Sequence, residues 1–357
     1  MPCYTVATDE DLEAWDAFVG RHPQGVHQQL SWWMRRQEFA LVETGVVVAR
    51  EGGRICGGAA LYHFGLPHAG HGVTIAPNGP LVEAGHLGCL PDLVRAIVQE
   101  GRRRKAILIQ FEAFAAHVDA PLRQAARVWP VENDVIWRLY HPGLWRDVRV
   151  ILEGRSEEDL LKSFRQDTRS RIRQAIRKGY EVAVCESESD LRAGYDILQR
   201  AAAERGYGVR PLPVFLDLFE AGQRRGAAHA LICRFEGEML GFRFAIRCGR
   251  GLYGVRIAHR ETDKSGPVGR FLHWHCMKQA MAWGLAYYSL GAPTRGSIAE
   301  FKEGFNPVIV DNRRFVTVVL RPEILPLVRL LINDTGLMDS ARRVAYGLLA
   351  RKAAPRK

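Results

Sequence analysis

The stretch Ala228–Ala258, AHALICRFEGEMLGFRFAIRCGRGLYGVRIA, decides the fold class. It reads as three strands, near 228–235, 239–248 and 251–258, with the first two meeting at Glu236-Gly237-Glu238. Apolar runs of strand length divided by Gly-centred turns predict antiparallel hairpins. Helices are expected upstream at 157–178, 188–205 and 212–225. Downstream, a helix near 268–284 leads into the strand Ala286-Tyr287-Tyr288-Ser289-Leu290. The first half of the chain repeats this order. Helices near 9–21 and 28–39 precede strands near 41–50 and 54–64, joined at Glu51-Gly52-Gly53. The turn Pro77-Asn78-Gly79-Pro80, a helix near 90–103 and the strand Ala106-Ile107-Leu108-Ile109-Gln110-Phe111 complete it. Alternating helices and strands place the chain in the α/β (α+β) class, and the matched halves suggest a tandem duplication.

A chain of 357 residues favours two domains over one. The pattern breaks at His141-Pro142-Gly143, so the first domain is expected over 1–147, with 314–335 available to join it. The second domain is expected over 148–313 and a basic tail over 336–357. Hydrophobic residues make up 47% and charged residues 25%, as in ordinary globular proteins. The longest apolar runs are of strand length, too short to span a bilayer. With no basic-then-apolar leader at Met1-Pro2-Cys3-Tyr4, a cytoplasmic location is expected. The seven cysteines are scattered and form no Cys-x-x-Cys pair, which fits a reducing compartment. His63, His68 and His71 lie in a Gly-rich stretch without a carboxylate, and His273 and His275 face different directions on one helix. No metal is expected.

The formal charge of +11 favours anionic partners, and the charge is clustered. Along 158–178, Leu161, Phe164, Thr168, Ile172 and Ile176 fall on one helical face, while Lys162, Arg165, Arg169, Arg173 and Arg177 run along the next. From 165 to 178 there are six basic residues and one acid, Asp167. Like charges four residues apart repel by a few tenths of a kcal/mol each, and an anion would relieve that repulsion. Arginine suits phosphate because its planar fork can bond two oxygens. The competing reading is a solvated face. A second feature is Phe301-Lys302-Glu303-Gly304-Phe305, where a lysine sits between an aromatic residue and a Gly-Phe turn. A cation in such a desolvated place suits an oxyanion or a phosphate.

Four stretches together resemble the FemABX aminoacyltransferase family. Gln166-Asp167-Thr168-Arg169-Ser170-Arg171-Ile172-Arg173-Gln174-Ala175, then Lys178-Gly179-Tyr180-Glu181-Val182, is similar to the helix opening that family's second domain. Gln29-Leu30-Ser31-Trp32-Trp33 resembles its early Gln-Ser-x-x-Trp segment, and Pro77-Asn78-Gly79-Pro80-Leu81-Val82-Glu83 its Pro-Arg-Gly-Pro-Val-x-Asp segment. Tyr288-Ser289-Leu290-Gly291-Ala292 followed by the Phe301–Phe305 stretch resembles Tyr-Asp-Phe-Gly-Gly followed by Phe-Lys-x-Gly-Phe. These stretches span about residues 25–310 in the family's order. The resemblance implies two tandem GNAT-like domains, with mixed central sheets flanked by helices. It also implies transfer of an amino acid from aminoacyl-tRNA to an amine of a peptidoglycan precursor or related peptide, with aminoacyl-tRNA as co-substrate and no cofactor. The chain departs from the pattern at Asn78, Glu83, Ser289 and Ala292, largely around the implied acceptor cleft.

By the same resemblance Lys302 would steady the oxyanion and Phe301 would desolvate it. Arg169, Arg171 and Arg173 are candidates for precursor phosphates or the tRNA backbone, with Arg35 and Arg36 as a second phosphate contact. Tyr253 would line the cleft and bond the acceptor peptide. The general base is open between Glu83 and groups of the acceptor itself. Trp32 and Trp33 read as core. Two alternatives stand beside this reading. The loop Ser265-Gly266-Pro267-Val268-Gly269-Arg270 resembles the phosphate loop of acyl-CoA-dependent GNAT N-acyltransferases, although Pro267 removes one backbone donor. The arginine helix alone would suit a non-catalytic RNA-binding protein. The tail residues Arg342, Arg343, Arg351, Lys352, Arg356 and Lys357 would suit peripheral contact with an anionic membrane.

Overall fold

The computed structural model describes residues 3–37, 42–66, 70–113, 116–131, 146–206, 208–260, 266–311 and 314–326. The expected tail over 336–357 and His68 lie outside them. The chain divides into two compact units, Met1–Trp145 with Asn312–Lys357, and Arg146–Asp311. The second unit opens two residues before the position expected from the Pro-Gly break, because Asp147 and Val148 already belong to a strand.

Elements are numbered in chain order. Unit 1 contains β1 (Cys3–Val6), α1 (Asp9–Arg21), α2 (Ser31–Met34), β2 (Val42–Glu51), β3 (Arg54–Gly65), β4 (Gly72–Ala76), β5 (Leu81–Val82), α3 (Leu90–Arg103), β6 (Ala106–Glu112), α4 (Ala116–Ala126) and β14 (Phe315–Val319). The sheet order is β1-β2-β3-β4-β6-β14, with β5 on β3. Glu51 pairs with Arg54, and the two residues between them, Gly52 and Gly53, both have positive φ. That backbone matches the right-handed twist of the strands it joins, and glycine adopts it without a Cβ clash. On α3, Leu90, Leu93, Val94, Ile97, Val98 and Gly101 are buried at helical spacing against the sheet. The helix expected over 28–39 is instead α2 between two short 3-10 turns, His27–Gln29 and Arg35–Gln37. There Gln29 donates to the Asn78 carbonyl at 2.8 Å, and Trp15 donates to the Gln29 carbonyl at 2.7 Å. These tertiary bonds take backbone and side-chain groups that a continuous helix would have left in place.

Unit 2 contains β7 (Arg146–Ile151), α5 (Glu157–Ser163), α6 (Gln166–Lys178), β8 (Glu181–Val184), α7 (Glu188–Arg205), α8 (Leu212–Gln223), β9 (Ala228–Phe235), β10 (Glu238–Cys248), β11 (Gly251–His259), α9 (Val268–Ala282), β12 (Tyr287–Ser289), α10 (Ser297–Glu303) and β13 (Val308–Asp311). The sheet order is β13-β7-β12-β11-β10-β9-β8. The two sheets share a plan. Each has a run of antiparallel strands, one parallel junction (β4 with β6, β11 with β12) and an antiparallel strand beyond it, β14 or β7. The expected duplication is therefore present in the topology. In unit 2 the parallel junction is short, pairing only Gly251–Tyr253 with Tyr287–Ser289. β11 then runs on to His259 while β12 stops, and the strands part at Gly254.

The helix expected over 157–178 is two helices. Phe164 and Arg165 between them are extended, with ψ of 156° and 153°. Phe164 is 1% exposed and meets Trp274 and Phe305 edge-on. The Arg165 N–H donates to the Gly304 carbonyl at 2.9 Å. Burial of the aromatic ring and this long-range bond outweigh the local helical preference. Two consequences follow for the sequence reading. Lys162 and Arg165 do not continue the arginine row of α6, and Ile176, expected on the buried face, is 58% exposed.

Candidate active site

The end of β12 organises the polar groups of unit 2. Side chains alternate along a strand, so Tyr287 and Ser289 share one face and Tyr288 takes the other. On the first face the Tyr287 and Tyr253 hydroxyls are 2.5 Å apart, and the Arg149 guanidinium lies 4.0 Å from the Tyr287 ring centre. Arg149 Nε donates to Asp147 Oδ2 at 2.7 Å, and Ser289 Oγ donates to Asp147 Oδ1 at 2.5 Å. Asp147 is completely buried. Burial pushes its carboxyl pKa up, against the Arg149 charge and both hydrogen bonds. The Gly291 N–H in turn donates to Ser289 Oγ at 3.1 Å, which fixes the turn leading to Ala292.

On the other face Tyr288 Oη accepts from Arg243 Nε at 2.9 Å and Nη2 at 2.6 Å. It also lies 2.9 Å from His273 Nδ1. Which of the two donates in that contact follows the imidazole tautomer. Burial, followed by the charges of Arg243 and Lys302, keeps the His273 pKa well below the usual histidine range.

Lys302 lies in the last turn of α10, a helix the sequence reading had not placed. Its ammonium donates to the Ala292 carbonyl at 2.6 Å. Loss of water lowers its pKa to about 8; the Arg243 charge adds to the fall and Asp147 opposes it. The neighbours explain the motif. Phe301 and Phe305, four apart, place their rings 5.6 Å from each other and 5.5 and 5.3 Å from the His273 ring. Phe305 is fully buried and Phe301 partly so. Gly304 is needed because a Cβ there would sit 2.3 Å from Thr168 Oγ1. The motif is thus a packed corner that docks α10 on α6 and α9 and holds its lysine out of bulk water.

The remaining candidates are dispersed. Arg169 donates to the carbonyls of Lys162, at 3.0 Å, and Phe164, closing the end of α5. Arg171 bonds Gln174 Oε1 at 3.1 Å, whereas Arg173 is exposed. Arg165 pairs with Glu303 at 2.8 Å, and Arg270 with Asp167 at 2.8 Å. The three arginines therefore do not converge on one ligand. Tyr253, expected on a cleft wall, is 1% exposed with its hydroxyl on Tyr287, because Tyr253 points into the packed face of the sheet. Arg35, Arg36 and Glu83 belong to unit 1. Arg35 pairs with Asp9, and Arg36 donates to the Trp32 carbonyl at 2.8 Å. Glu83 pairs with Arg54 at 2.6 Å and Arg21 at 3.7 Å, at the edge of a 310 Å³ cavity lined also by Phe18 and His22. Trp32 and Trp33 are core, as expected. Sequence reasoning missed Asp147, Arg243 and His273. A signal existed for one of them: Arg243 is a charged residue between Phe242 and Phe244 in an expected strand.

Residues 162–303 match the acetyltransferase (GNAT) domain family. A crystal structure of FemX superposes with a TM-score of 0.79 at 15% identity, covering 93% of this chain and all of that one. The chain has the tandem GNAT fold seen in FemX. A tandem GNAT protein from the clavulanic acid biosynthesis pathway also superposes, with a TM-score of 0.52 at 13% identity, over 89% of this chain and 98% of that one. In sequence, the lipid II:glycine glycyltransferase of Staphylococcus saprophyticus is 22% identical over 232 residues. That match covers 63% of this chain but only 54% of the glycyltransferase. The resemblance to the FemABX family is borne out by these likenesses. Among the described residues, no helix of this Fem-type fold is long and apolar enough to cross a membrane.

Proposed function

We propose that the protein is an aminoacyltransferase that moves an amino acid from aminoacyl-tRNA to an amine of a peptidoglycan precursor or related peptide. The observation that carries this reading is Lys302, a desolvated ammonium bonded to a backbone carbonyl, beside a buried polar network in a Fem-type unit. The acceptor nitrogen attacks the ester carbon of the donor. A C–N bond forms, the C–O bond to the terminal ribose breaks, the amine loses a proton and the ribose oxygen gains one. Negative charge develops on the carbonyl oxygen of the ester in between, where a preorganised ammonium is worth about 10²–10³ in rate. Direct displacement needs no covalent enzyme intermediate and no resident cofactor. Likeness to a lipid II-modifying glycyltransferase supports a precursor acceptor. The exposed arginines of α6, Arg173 and Arg177, suit the tRNA backbone or precursor phosphates. A lipid-linked acceptor would bring the protein to the cytoplasmic face of an anionic membrane. The test is incubation with charged tRNA and candidate amines, comparing the protein with Lys302→Ala. Label transfer that needs Lys302 is expected. Transfer from acyl-CoA alone, or RNA binding with no transfer to any amine, overturns the proposal.

A further inference from the structure

Arg243 on β10 is 3% exposed and flanked by Phe242 and Phe244 in an apolar strand. Among the described residues its guanidinium donates twice to Tyr288 Oη and also meets the Cys276 thiol, and no carboxylate lies within 4.0 Å of it. Arginine does not shed its proton in proteins, so this is a buried positive charge without a counter-charge. Such a charge is costly, and a neutral hydroxyl repays only part of the cost. Lys302 is a second, partly desolvated cation, and among the described residues its hydrogen bond goes to a carbonyl. The two are linked through the fold. Arg243 bonds Tyr288, Tyr288 bonds His273, and the His273 ring packs on Phe301, the neighbour of Lys302. The nearby acid, Asp147, already accepts from Arg149 and Ser289. Lys302 thus feels the like charge of Arg243 and the opposite charge of Asp147, which Arg149 already shares.

The backbone makes room for this arrangement. Tyr253 and Ser289 form the last pair between β11 and β12, and the next residue is Gly254. A Cβ at Gly254 would lie 1.5 Å from Arg243 Nη2 and 3.1 Å from the Ser289 carbonyl oxygen. Any side chain there would evict the guanidinium. We propose that the point where β11 and β12 part is a binding pocket for a substrate oxygen that carries negative charge, with Arg243 and Lys302 as its two cationic donors. Two sources share this chemistry: the carbonyl oxygen of the donor ester as it becomes an oxyanion, and a carboxylate of the acceptor peptide. The proposal deepens the transfer reading and rests on it for the identity of the substrate.

The experiment measures modification of Lys302 by an amine-selective reagent, read by mass spectrometry across pH, with and without sodium acetate or inorganic phosphate. In the unaltered protein the anions slow labelling of Lys302. Arg243→Gln weakens that protection about tenfold, the worth of one charge-assisted contact. It also moves the Lys302 titration upward, because a like charge is removed, while Arg243→Lys keeps the titration in place. Where Arg243→Gln does not fold, Gly254→Ala displaces the same guanidinium and weakens protection likewise. In the transfer assay, a fall in kcat at unchanged acceptor KM assigns the oxygen to the donor ester, and a raised acceptor KM at unchanged kcat assigns it to the acceptor. No protection by either anion in the unaltered protein overturns the proposal, as does an Arg243→Gln variant with unchanged protection and titration. Protection without any transfer from aminoacyl-tRNA supports the pocket and sinks only the transfer reading.

Discussion

Lys302 should make the stability of this protein depend on alkaline pH in a direction opposite to that of a lysine held in a salt bridge. Its folded pKa is lowered from 10.5 to about 8. Between those values the unfolded chain binds a proton that the folded chain has released, so the free energy of unfolding rises with pH through the window. At about 1.4 kcal/mol per tenfold, the full shift would correspond to roughly 3 kcal/mol. The ammonium is only half-buried, and screening by water reduces this to about 1 kcal/mol. Lys302→Met removes the titration while keeping an unbranched side chain of similar reach. Loss of the bond to Ala292 offsets part of the gain from removing the charge, so a comparison at a single pH does not isolate the effect. The difference between two pH values does. Urea unfolding of both proteins at about pH 7 and about pH 10 should show the unaltered protein gaining roughly 1 kcal/mol relative to Lys302→Met. Parallel stability curves would refute the reasoning, because they would mean the ammonium is as well solvated in the fold as in the unfolded chain.

Gly304→Ala places a methyl 2.3 Å from Thr168 Oγ1; an overpacking cost of about 1–3 kcal/mol is expected in thermal unfolding, and Thr168→Ala in the same chain should recover part of it. Asp147→Asn removes the carboxylate that buried Arg149 pairs with, so a loss on the order of 3–5 kcal/mol is expected from denaturant titration; a loss below about 1 kcal/mol would mean water reaches the pair. The α6 arginines should separate by assay. Arg169→Ala removes two caps on α5 and should lower stability by about 1–2 kcal/mol. Arg173→Ala should leave the melting temperature unchanged, yet weaken RNA binding and reduce its salt slope by about 0.7. An unchanged slope would return Arg173 to the role of a solvated charge.

Much of this fold was legible because its signals are local. The Gly52-Gly53 and Glu236-Gly237 turns mark their hairpins through a backbone that few residues adopt. The spacing of Leu90, Leu93, Val94 and Ile97 marks α3 as a helix with one buried face. The duplicated order of elements, and with it the α/β class, follows from such signals alone. Lys302 and Phe301 stood out for the same reason, since a short motif carries them. Strands β7, β13 and β14 and helix α10 escaped because they are short and take their stability from partners distant in the chain.

The composition of the site was a tertiary decision. Phe164 breaks a helix that its neighbours would otherwise have continued, because its ring gains more from Trp274 and Phe305 than the backbone loses. That break commits Arg169 to capping α5, so a row of evenly spaced arginines is not a row of equivalent ligands. Tyr253 and Arg243 sit on adjacent strands, and the family resemblance pointed to the tyrosine. In the fold Tyr253 spends its hydroxyl on Tyr287, while Arg243 has no carboxylate partner among the described residues. Sequence determined which residues are chemically able to bind an anion. Only packing decided which of them keep a donor and a charge uncompensated, because that depends on what each side chain meets across the sheet.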